Sequence, residues 1–147
     1  MEIIAFSDVH GDVHKLLTLS NEIEHAEKAL FLGDGINTME VLDTRLANKI
    51  IAVKGNCDLF CPLPEELVIE LAGKKIFMTH GHNYDVKISM NKIAAKALEV
   101  GADITLFGHT HVYQQKNNIV NVPAVKDGKY IKITLGKEIK IELKHIN

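Results

Sequence analysis

Five short apolar runs in the chain each end at residues able to bind a metal, and this repetition restricts the fold more than any other feature. The runs and the polar residues after them are 3–6 with Asp8 and His10, 30–32 with Asp34, 50–53 with Asn56, 76–78 with His80 and His82, and 104–107 with His109 and His111. Short apolar runs bounded by glycine or polar residues are typical of strands buried on both faces. The pattern predicts an α/β fold.

The ends of such strands are where ligands bind, because open α/β sheets hold their ligands in the crevice beyond the carboxyl ends of the strands. We therefore expect the five motifs to converge into one cluster of Asp, Asn and His side chains. Residues i and i+2 of an extended chain face the same way. Alternation along an extended chain is thus expected to aim the two His-x-His pairs, and Asp8 with His10, at a common point.

The number of donors favours two metal ions over one. Two carboxylates, one amide and four or five imidazoles exceed what one four-coordinate ion requires. Two ions roughly 3.5 to 4 Å apart clamp the attacking and leaving oxygens of an in-line displacement at phosphorus. Charge arguments alone also leave amide or lactam hydrolysis open as the chemistry of such a site.

Composition excludes several other classes of protein. The length of 147 residues fits one domain, residues 1–147, and the 46% hydrophobic and 24% charged fractions are those of a soluble protein. A net charge of −2 gives no strong nucleic-acid signal. No apolar stretch approaches the roughly 20 residues of a membrane span, and residues 1–3 open into a strand with no basic n-region or cleavage site, so we expect a cytoplasmic protein without a membrane partner. Cys57 and Cys61 are expected to be reduced and unpaired.

Periodicity places the remaining elements. The predicted helices cover residues 13–24, residues 38–47, and a segment that Ser89 caps and Gly101 ends. The apolar stripe expected on the third helix consists of Met90, Ile93, Ala94, Ala97 and Leu98. Two hairpins are predicted, 66–71 with 75–79 and 130–135 with 138–143, the latter at a sheet edge. These elements predict two sheets packed face to face with helices outside.

The motifs, in their order along the chain, resemble those of the calcineurin-like metallophosphoesterase superfamily, in particular its small bacterial and archaeal phosphodiesterases of the YfcE type. They read Asp-x-His, Gly-Asp, Gly-Asn-x-Asp, Thr-His-Gly-His and Gly-His-Thr-His, and they extend from Asp8 to His111. The resemblance implies a four-layer α/β/β/α sandwich of two mixed sheets with a dinuclear centre and a small phosphate-ester substrate. Mn²⁺ is the first expectation for both ions, with Ni²⁺, Fe²⁺ or Zn²⁺ as alternatives. A homodimer is compatible with the resemblance.

The same resemblance implies a ligand set. One ion would be bound by Asp8, His10, Asp34 and His111, and the other by Asp34, Asn56, His80 and His109. Asp34 would bridge the ions, and a metal-bridging hydroxide would attack the phosphorus in line. Asn56 would also face a phosphate oxygen.

Two departures from the family pattern bear on specificity. Larger phosphatases of the superfamily have a histidine directly after the Asn as general acid, and this chain has Cys57 there. A thiol donates hydrogen bonds weakly, which favours phosphodiesters with good leaving groups. Asp58 or His82 are alternative proton donors, and Asp58 is equally well explained as a structural acceptor. Relatives also tend to carry Asn-Pro-Gly-Ser where this chain has residues 121–125, which affects the expected substrate specificity.

Two rival functions share these features. The retromer subunit Vps29 resembles this fold but serves as an interaction scaffold after losing ligands, whereas this chain keeps a donor at every ligand position. A phosphomonoesterase would use the same site and differ only in the leaving group and its acid.

Overall fold

The computed structural model describes residues 1–147 and arranges ten strands in two sheets. In chain order the strands are β1 (Glu2–Phe6), β2 (Lys28–Phe31), β3 (Ile50–Ala52), β4 (Glu66–Leu71), β5 (Lys74–Thr79), β6 (Ile104–Phe107), β7 (Gln114–Lys116), β8 (Ile119–Asn121), β9 (Lys129–Leu135) and β10 (Ile139–His145). The first sheet has the order β10-β9-β1-β2-β3, and the second has the order β4-β5-β6-β8-β7. Both sheets contain parallel and antiparallel pairs, as predicted.

Helices cover the outer faces and complete the four layers. The α-helices are α1 (Val13–His25), α2 (Thr44–Ala47) and α3 (Asn91–Val100). Leu16 and Leu19 of α1 pack in a buried cluster with Phe6 of the first sheet, and Ile93 of α3 packs with Phe77 of the second. The inner faces share a core that contains Ile3, Leu30, Met78 and Leu106. The predicted α/β/β/α sandwich is therefore confirmed. None of the helices has the length and apolar character needed to cross a membrane.

The second predicted helix is wrong as a continuous element. A 3₁₀ helix spans Ile36–Val41, Leu42 is extended, and α2 follows at Thr44–Ala47. The carboxylate of Asp43 accepts a hydrogen bond from the Leu46 N–H at 2.9 Å. An Asp in this position caps a new helix better than it continues an old one, which explains the break.

The third helix forms, but its apolar stripe is narrower than predicted. The Ser89 hydroxyl accepts from the Asn91 N–H at 3.3 Å, and Gly101 ends the helix with φ of 68°. Ile93 is buried, whereas Leu98 is 85% exposed. At about 100° per residue, Leu98 lies roughly 140° around the helix from Ile93 and faces solvent.

Both predicted hairpins are present. β4 pairs with β5 across a turn at residues 72–73, and β9 pairs with β10, which forms one edge of the first sheet. The strand β3 lies at the opposite edge of that sheet and is only partly buried, so its apolar run is not enclosed on both faces as predicted. An edge strand pairs with another strand on one side only, so its other side is open to solvent.

Parallel pairing brings the motifs together. β1, β2 and β3 run parallel in the first sheet, and β5 and β6 run parallel in the second. Their carboxyl ends meet at one edge of the sandwich, where the imidazole Nδ1 of His80 lies 2.7 Å from the backbone oxygen of Leu32 in the other sheet. The predicted convergence of the strand ends is confirmed.

Candidate metal centre

Left-handed backbone marks the candidate ligands. Nine non-glycine residues have positive φ, and five of them are predicted metal ligands. These five are Asp8 (54°), His10 (47°), Asp34 (64°), His109 (72°) and His111 (68°). Strained backbone conformations cost free energy and persist only where the surrounding structure holds them, and they are concentrated at functional sites. The expected route to convergence is therefore corrected, since left-handed turns, and not alternation along an extended chain, aim these side chains.

Asp8 divides its two carboxylate oxygens between two tasks. Oδ2 accepts hydrogen bonds from the Ser7 hydroxyl at 2.5 Å and from the His109 N–H at 3.1 Å. Oδ1 lies 3.3 Å from His10 Nε2 and 3.1 Å from His111 Nε2. The protein thus anchors one oxygen and points the other at two imidazoles. Asp8, His10 and His111 form the first donor group.

The two carboxylate oxygens of Asp34 are divided in the same way. Its Oδ1 accepts from the Cys57 N–H at 2.8 Å, and its Oδ2 lies 3.2 Å from His80 Nε2. The same Oδ2 lies 3.8 Å from Nε2 of His10, which belongs to the first group. Asp34, His80 and His109 form a second donor group, so one oxygen of Asp34 lies between the two groups.

The backbone selects the tautomer of His80. Its Nδ1 lies 2.7 Å from the carbonyl oxygen of Leu32, and a carbonyl can only accept, so Nδ1 carries the proton. Nε2 is then left with a free lone pair that faces Asp34 and the Nδ1 of His109, which is 3.2 Å away. A hydrogen bond from the second ring nitrogen to a carbonyl is the usual support for a metal-binding histidine.

The electrostatics of the cluster favour a bound cation. Burial disfavours a charged His80, yet the hydrogen bond to Asp34 and the charges of Asp8 and Asp34 outweigh burial and raise the pKa of His80. Burial alone would raise the pKa of Asp34, but hydrogen bonds from His80 and from the Cys57 backbone hold that pKa well below its usual range. Two buried carboxylates therefore attract positive charge, from a proton or from a metal ion.

Two glycines permit this close packing. A Cβ at Gly108 would lie 2.1 Å from Ser7 Oγ and 2.8 Å from Asp8 Oδ2. A Cβ at Gly55 would lie 2.0 Å from Asp34 Oδ1. Any other residue at either position would displace a carboxylate, which explains why glycine accompanies the Asn and His motifs.

The donor set fits divalent metal ions. The close contacts between donor atoms of each group measure 3.1 to 3.3 Å, and two ligand atoms bound to one ion at about 2.1 Å lie roughly 3 to 3.5 Å apart. Imidazole nitrogen and carboxylate oxygen together suit Mn²⁺, Fe²⁺, Ni²⁺ and Zn²⁺. The residues present therefore fit the metal centre that the motifs predict.

Comparison with known proteins decides the family. A family model for the calcineurin-like phosphoesterase superfamily domain matches residues 1–132. The chain belongs to this superfamily. The resemblance recognised in the motifs is thereby confirmed.

Individual members of the superfamily and of its fold are similar to the chain. A probable metallophosphoesterase, YsnB of Bacillus subtilis strain 168, is 34% identical over 112 residues; the match covers 76% of this chain and 65% of YsnB, just under two thirds of its length. A crystal structure of a predicted phosphoesterase from Streptococcus pneumoniae has a TM-score of 0.80 at 27% identity, covering 98% of this chain and 88% of that one. Wild-type Vps29 of Entamoeba histolytica, crystallised with Zn²⁺, has a TM-score of 0.75 at 20% identity over both whole chains, which shows a common fold.

Asn56 and Cys57 of the third superfamily motif lie beside Asp34. The Asn56 side chain is exposed, and its Nδ2 lies 3.6 Å from Cys57 Sγ. His10, Asp34 and Cys57 also form a third group of possible ligands, which sequence reasoning missed because it considered Cys57 only as an acid. Burial and the charges of nearby carboxylates, Asp34 first, raise the pKa of the Cys57 thiol. The thiol is therefore neutral at pH 7 in the absence of a metal.

Asp58 is engaged entirely with backbone. Its Oδ2 accepts from the N–H groups of Asp34 and Gly55, both at 2.8 Å. Its Oδ1 accepts from the N–H groups of Gly35 at 2.8 Å and Ile36 at 3.0 Å. The sequence left two roles open for Asp58, proton donor and structural acceptor, and these four hydrogen bonds match the structural acceptor. Asp58 joins the Asp34 loop to the Asn56 loop.

His82 lies next to the second donor group. Its ring centroid is 5.5 Å from that of His80 and 6.3 Å from that of His109. Burial, and after it the charge of His80, lowers the pKa of His82. Its Nδ1 is buried and has no hydrogen-bond partner within the protein. A neutral imidazole is thus available beside the candidate ligands.

Sequence reasoning missed Ser7, whose hydroxyl anchors Asp8. Ser7 is completely buried at the end of β1, and no periodicity or motif distinguishes it from an ordinary core serine. The one available signal is a small hydroxyl residue directly before the first Asp, and its meaning depends on the approach of Gly108.

Proposed function

We propose that the protein is a phosphodiesterase that depends on two divalent metal ions, with Mn²⁺ as the first expectation. The position of Asp34 Oδ2 between the His10 and His80 imidazoles is the observation that carries the proposal, because it gives the two donor groups a common carboxylate. One ion would be held by Asp8, His10, Asp34 and His111. The other would be held by Asp34, Asn56, His80 and His109.

The metal pair would supply the main electrostatic contribution. Two divalent ions at such a site lower the pKa of bound water and stabilise negative charge on a transferring phosphoryl group. The chain's own part is to hold the donors rigidly, since Ser7 and the His109 N–H anchor Asp8 while Cys57 N–H anchors Asp34. Preorganised donors of this kind need no rearrangement during the reaction. Two carboxylates leave the four positive charges of the ions only partly neutralised, so a phosphate is attracted.

The candidate proton donors beside the metal centre favour phosphodiesters with good leaving groups over alkyl monoesters. Both oxygens of Asp58 are occupied by four backbone donors, and Cys57 offers only a weakly donating thiol. His82 has a lowered pKa and is neutral at pH 7. None of the three is a strong acid free to protonate an alkoxide. Esters whose leaving group departs without a proton are therefore the expected substrates.

The decisive experiment compares two esters on chelator-stripped protein with and without Mn²⁺. Hydrolysis of bis-p-nitrophenyl phosphate is measured beside p-nitrophenyl phosphate for wild type, His109→Gly and His25→Gln. Glycine tolerates the left-handed backbone of His109, so this variant removes the imidazole without adding strain. His25 is exposed at the far end of α1 and serves as the matched histidine control.

We expect Mn²⁺-dependent turnover of the diester that exceeds turnover of the monoester. His109→Gly should abolish it, and His25→Gln should retain it. Faster turnover of the monoester would favour the phosphomonoesterase. Absence of turnover with Mn²⁺, Ni²⁺, Fe²⁺ or Zn²⁺ would contradict the enzyme and favour an interaction scaffold.

A further inference from the structure

A small cavity opens directly beside the candidate metal centre. Its volume is about 150 Å³. It is lined by His82, Asp85, Val86, Lys87, Ile88 and His109. Sites that enclose a whole ligand usually measure about 300 to 1,000 Å³, so this cavity can hold only one substituent of a larger molecule. His109 and His82 place that substituent next to the proposed reacting phosphate.

The cavity carries an uncompensated positive charge. Asp85 forms an ion pair with Lys92, and Lys87 forms an ion pair with no carboxylate. Lys87 and the candidate ligand His109 line the same cavity, so the lysine lies close to the metal centre. No other cation lines the cavity. An anionic group entering the cavity would therefore meet a lysine that has no partner of its own.

The segment that carries Lys87 is held in place by its backbone. Asp85 has a left-handed conformation, and its carbonyl oxygen accepts from the N–H groups of Ile88 at 2.9 Å and Ser89 at 3.2 Å. The ion pair between Asp85 and Lys92 ties the segment to α3. Ile88 is 85% exposed and gives the cavity an apolar wall at its mouth. Lysine and isoleucine together suit a substituent with an apolar body and an anionic group.

We propose that this cavity is a substrate subsite, in which Lys87 selects phosphodiesters that carry a second oxyanion, a carboxylate or a phosphate, on one substituent. The proposal rests on the phosphodiesterase function proposed above and adds a specificity residue to it. Lys87 is a lysine outside every motif that defines the metal centre, so the subsite is a property of this chain's β5–α3 segment.

The test uses three esters that differ only in one substituent. They are p-nitrophenyl phenyl phosphate, its 4-carboxyphenyl analogue and its 4-phosphonophenyl analogue. Release of p-nitrophenolate by Mn²⁺-loaded protein gives kcat/KM for each, and the ratio of the anionic to the neutral ester measures the preference. Wild type is compared with Lys87→Met, Lys87→Arg and Lys137→Met. Lys137 is an exposed lysine in the β9–β10 turn, at the opposite end of the sandwich.

We expect wild type and Lys137→Met to prefer the anionic esters, and Lys87→Met to lower that ratio about fivefold, which is the most that one exposed ion pair usually contributes. Lys87→Arg should retain the preference, and added salt should reduce it. A stronger preference for the phosphonate than for the carboxylate would indicate a phosphate as the natural group. Equal ratios in wild type and Lys87→Met would overturn the subsite alone. Absence of turnover of all three esters would overturn the phosphodiesterase and the subsite with it.

Discussion

The two ends of the sandwich use left-handed backbone for different purposes. At the end opposite the metal centre, Ala72 and Gly73 have φ of 49° and 74° and reverse the chain between β4 and β5. Both residues are exposed, and neither carries a functional group. At the metal end, the same conformation occurs at residues such as Asp34 and His109, whose side chains face one another. Left-handed backbone at one end reverses the chain, and at the other it aims ligands.

The left-handed conformation costs free energy at both ends of the sandwich, but it serves a function only at the metal end. A non-glycine residue in the left-handed region costs about 1 kcal/mol or more, although Asn and Asp tolerate it better than most. At the turn nothing offsets this free-energy cost, and a substitution can remove it. At the metal end it is offset in part by the hydrogen bonds that Asp8 and Asp34 accept, and further when a ligand or substrate is bound. Substitutions at the two ends should therefore have opposite consequences for stability and activity.

The largest expected effect follows from Asp34→Asn. Asn tolerates the same backbone and can still accept from the Cys57 N–H, so the change removes mainly the charge between the two donor groups. We expect Mn²⁺-dependent diester hydrolysis to fall by more than about a hundredfold, because changes to the outer partners of metal ligands already cost about 10- to 100-fold. Titration calorimetry should show weaker Mn²⁺ binding.

Asp43→Asn is the matched control for that change. Asp43 is an exposed residue that caps α2 and lies 4.0 Å from Arg45, away from the metal centre, so its variant should keep Mn²⁺ affinity and activity. Full activity in Asp34→Asn would contradict the assignment of Asp34 as the shared carboxylate.

Asp58→Asn should act on stability and metal affinity together. The amide can accept at only one of the two positions where Asp58 now accepts four backbone hydrogen bonds. Leaving buried donors unpaired is expected to lower the free energy of unfolding by about 2 to 3 kcal/mol. Because one of those donors is the N–H of Asp34 itself and another is that of Gly35, Mn²⁺ affinity should fall by about 10-fold or more. Denaturant unfolding and calorimetry measure the two effects.

Asp103→Asn is the control for the loss in free energy of unfolding expected of Asp58→Asn. The Asp103 carboxylate is exposed and accepts a single backbone hydrogen bond from Lys75, so its variant should lose no more than about 1 kcal/mol. Equal losses in the Asp58 and Asp103 variants would contradict the structural role given to Asp58.

Donor identity could be predicted from the sequence, whereas donor geometry could not. Asp34 and His80 follow apolar runs, and parallel strands necessarily end together, so the cluster was predictable. The left-handed φ of His10 and His111 was not, because Asp-x-His and His-x-His have the same sequence pattern in extended chain as in a left-handed turn. The role of Asp58 was equally inaccessible, since it depends on how the Asp34 loop approaches residues distant in sequence. Leu98 was placed on the wrong face because an apolar residue near a stripe was counted as part of it.

The raised pKa of His80 predicts a pH effect on metal-free protein. A histidine with a raised folded-state pKa stabilises the fold below its unfolded pKa of 6.5, and this contribution is lost as pH rises through the folded value. His82 and His109 have lowered pKa values, so their contribution has the opposite sign: it rises as pH approaches the unfolded pKa of 6.5 and levels off above it. We expect the melting temperature of chelator-stripped protein to fall by a few degrees as pH rises above 6.5.

Metal and mutation should each remove this pH dependence. Mn²⁺ competes with the proton for the His80 lone pair, so loaded protein should not lose stability over the same range. His80→Asn should abolish the decrease in metal-free protein. A decrease of equal size in His80→Asn would assign the effect to another group.

The smallest expected effect lies at the turn opposite the metal centre. Ala72→Asn produces Asn-Gly, the pair that the two-residue β4–β5 turn with two positive φ values favours. We expect the free energy of unfolding to rise by about 0.5 to 1 kcal/mol with no change in Mn²⁺-dependent activity. His111→Asn is the counterpart at the metal end, where the same residue in the same backbone conformation removes an imidazole 3.1 Å from Asp8 Oδ1 and should reduce activity. If Ala72→Asn failed to stabilise the protein, the turn would carry no removable strain, and the contrast between the two ends would rest on the metal end alone.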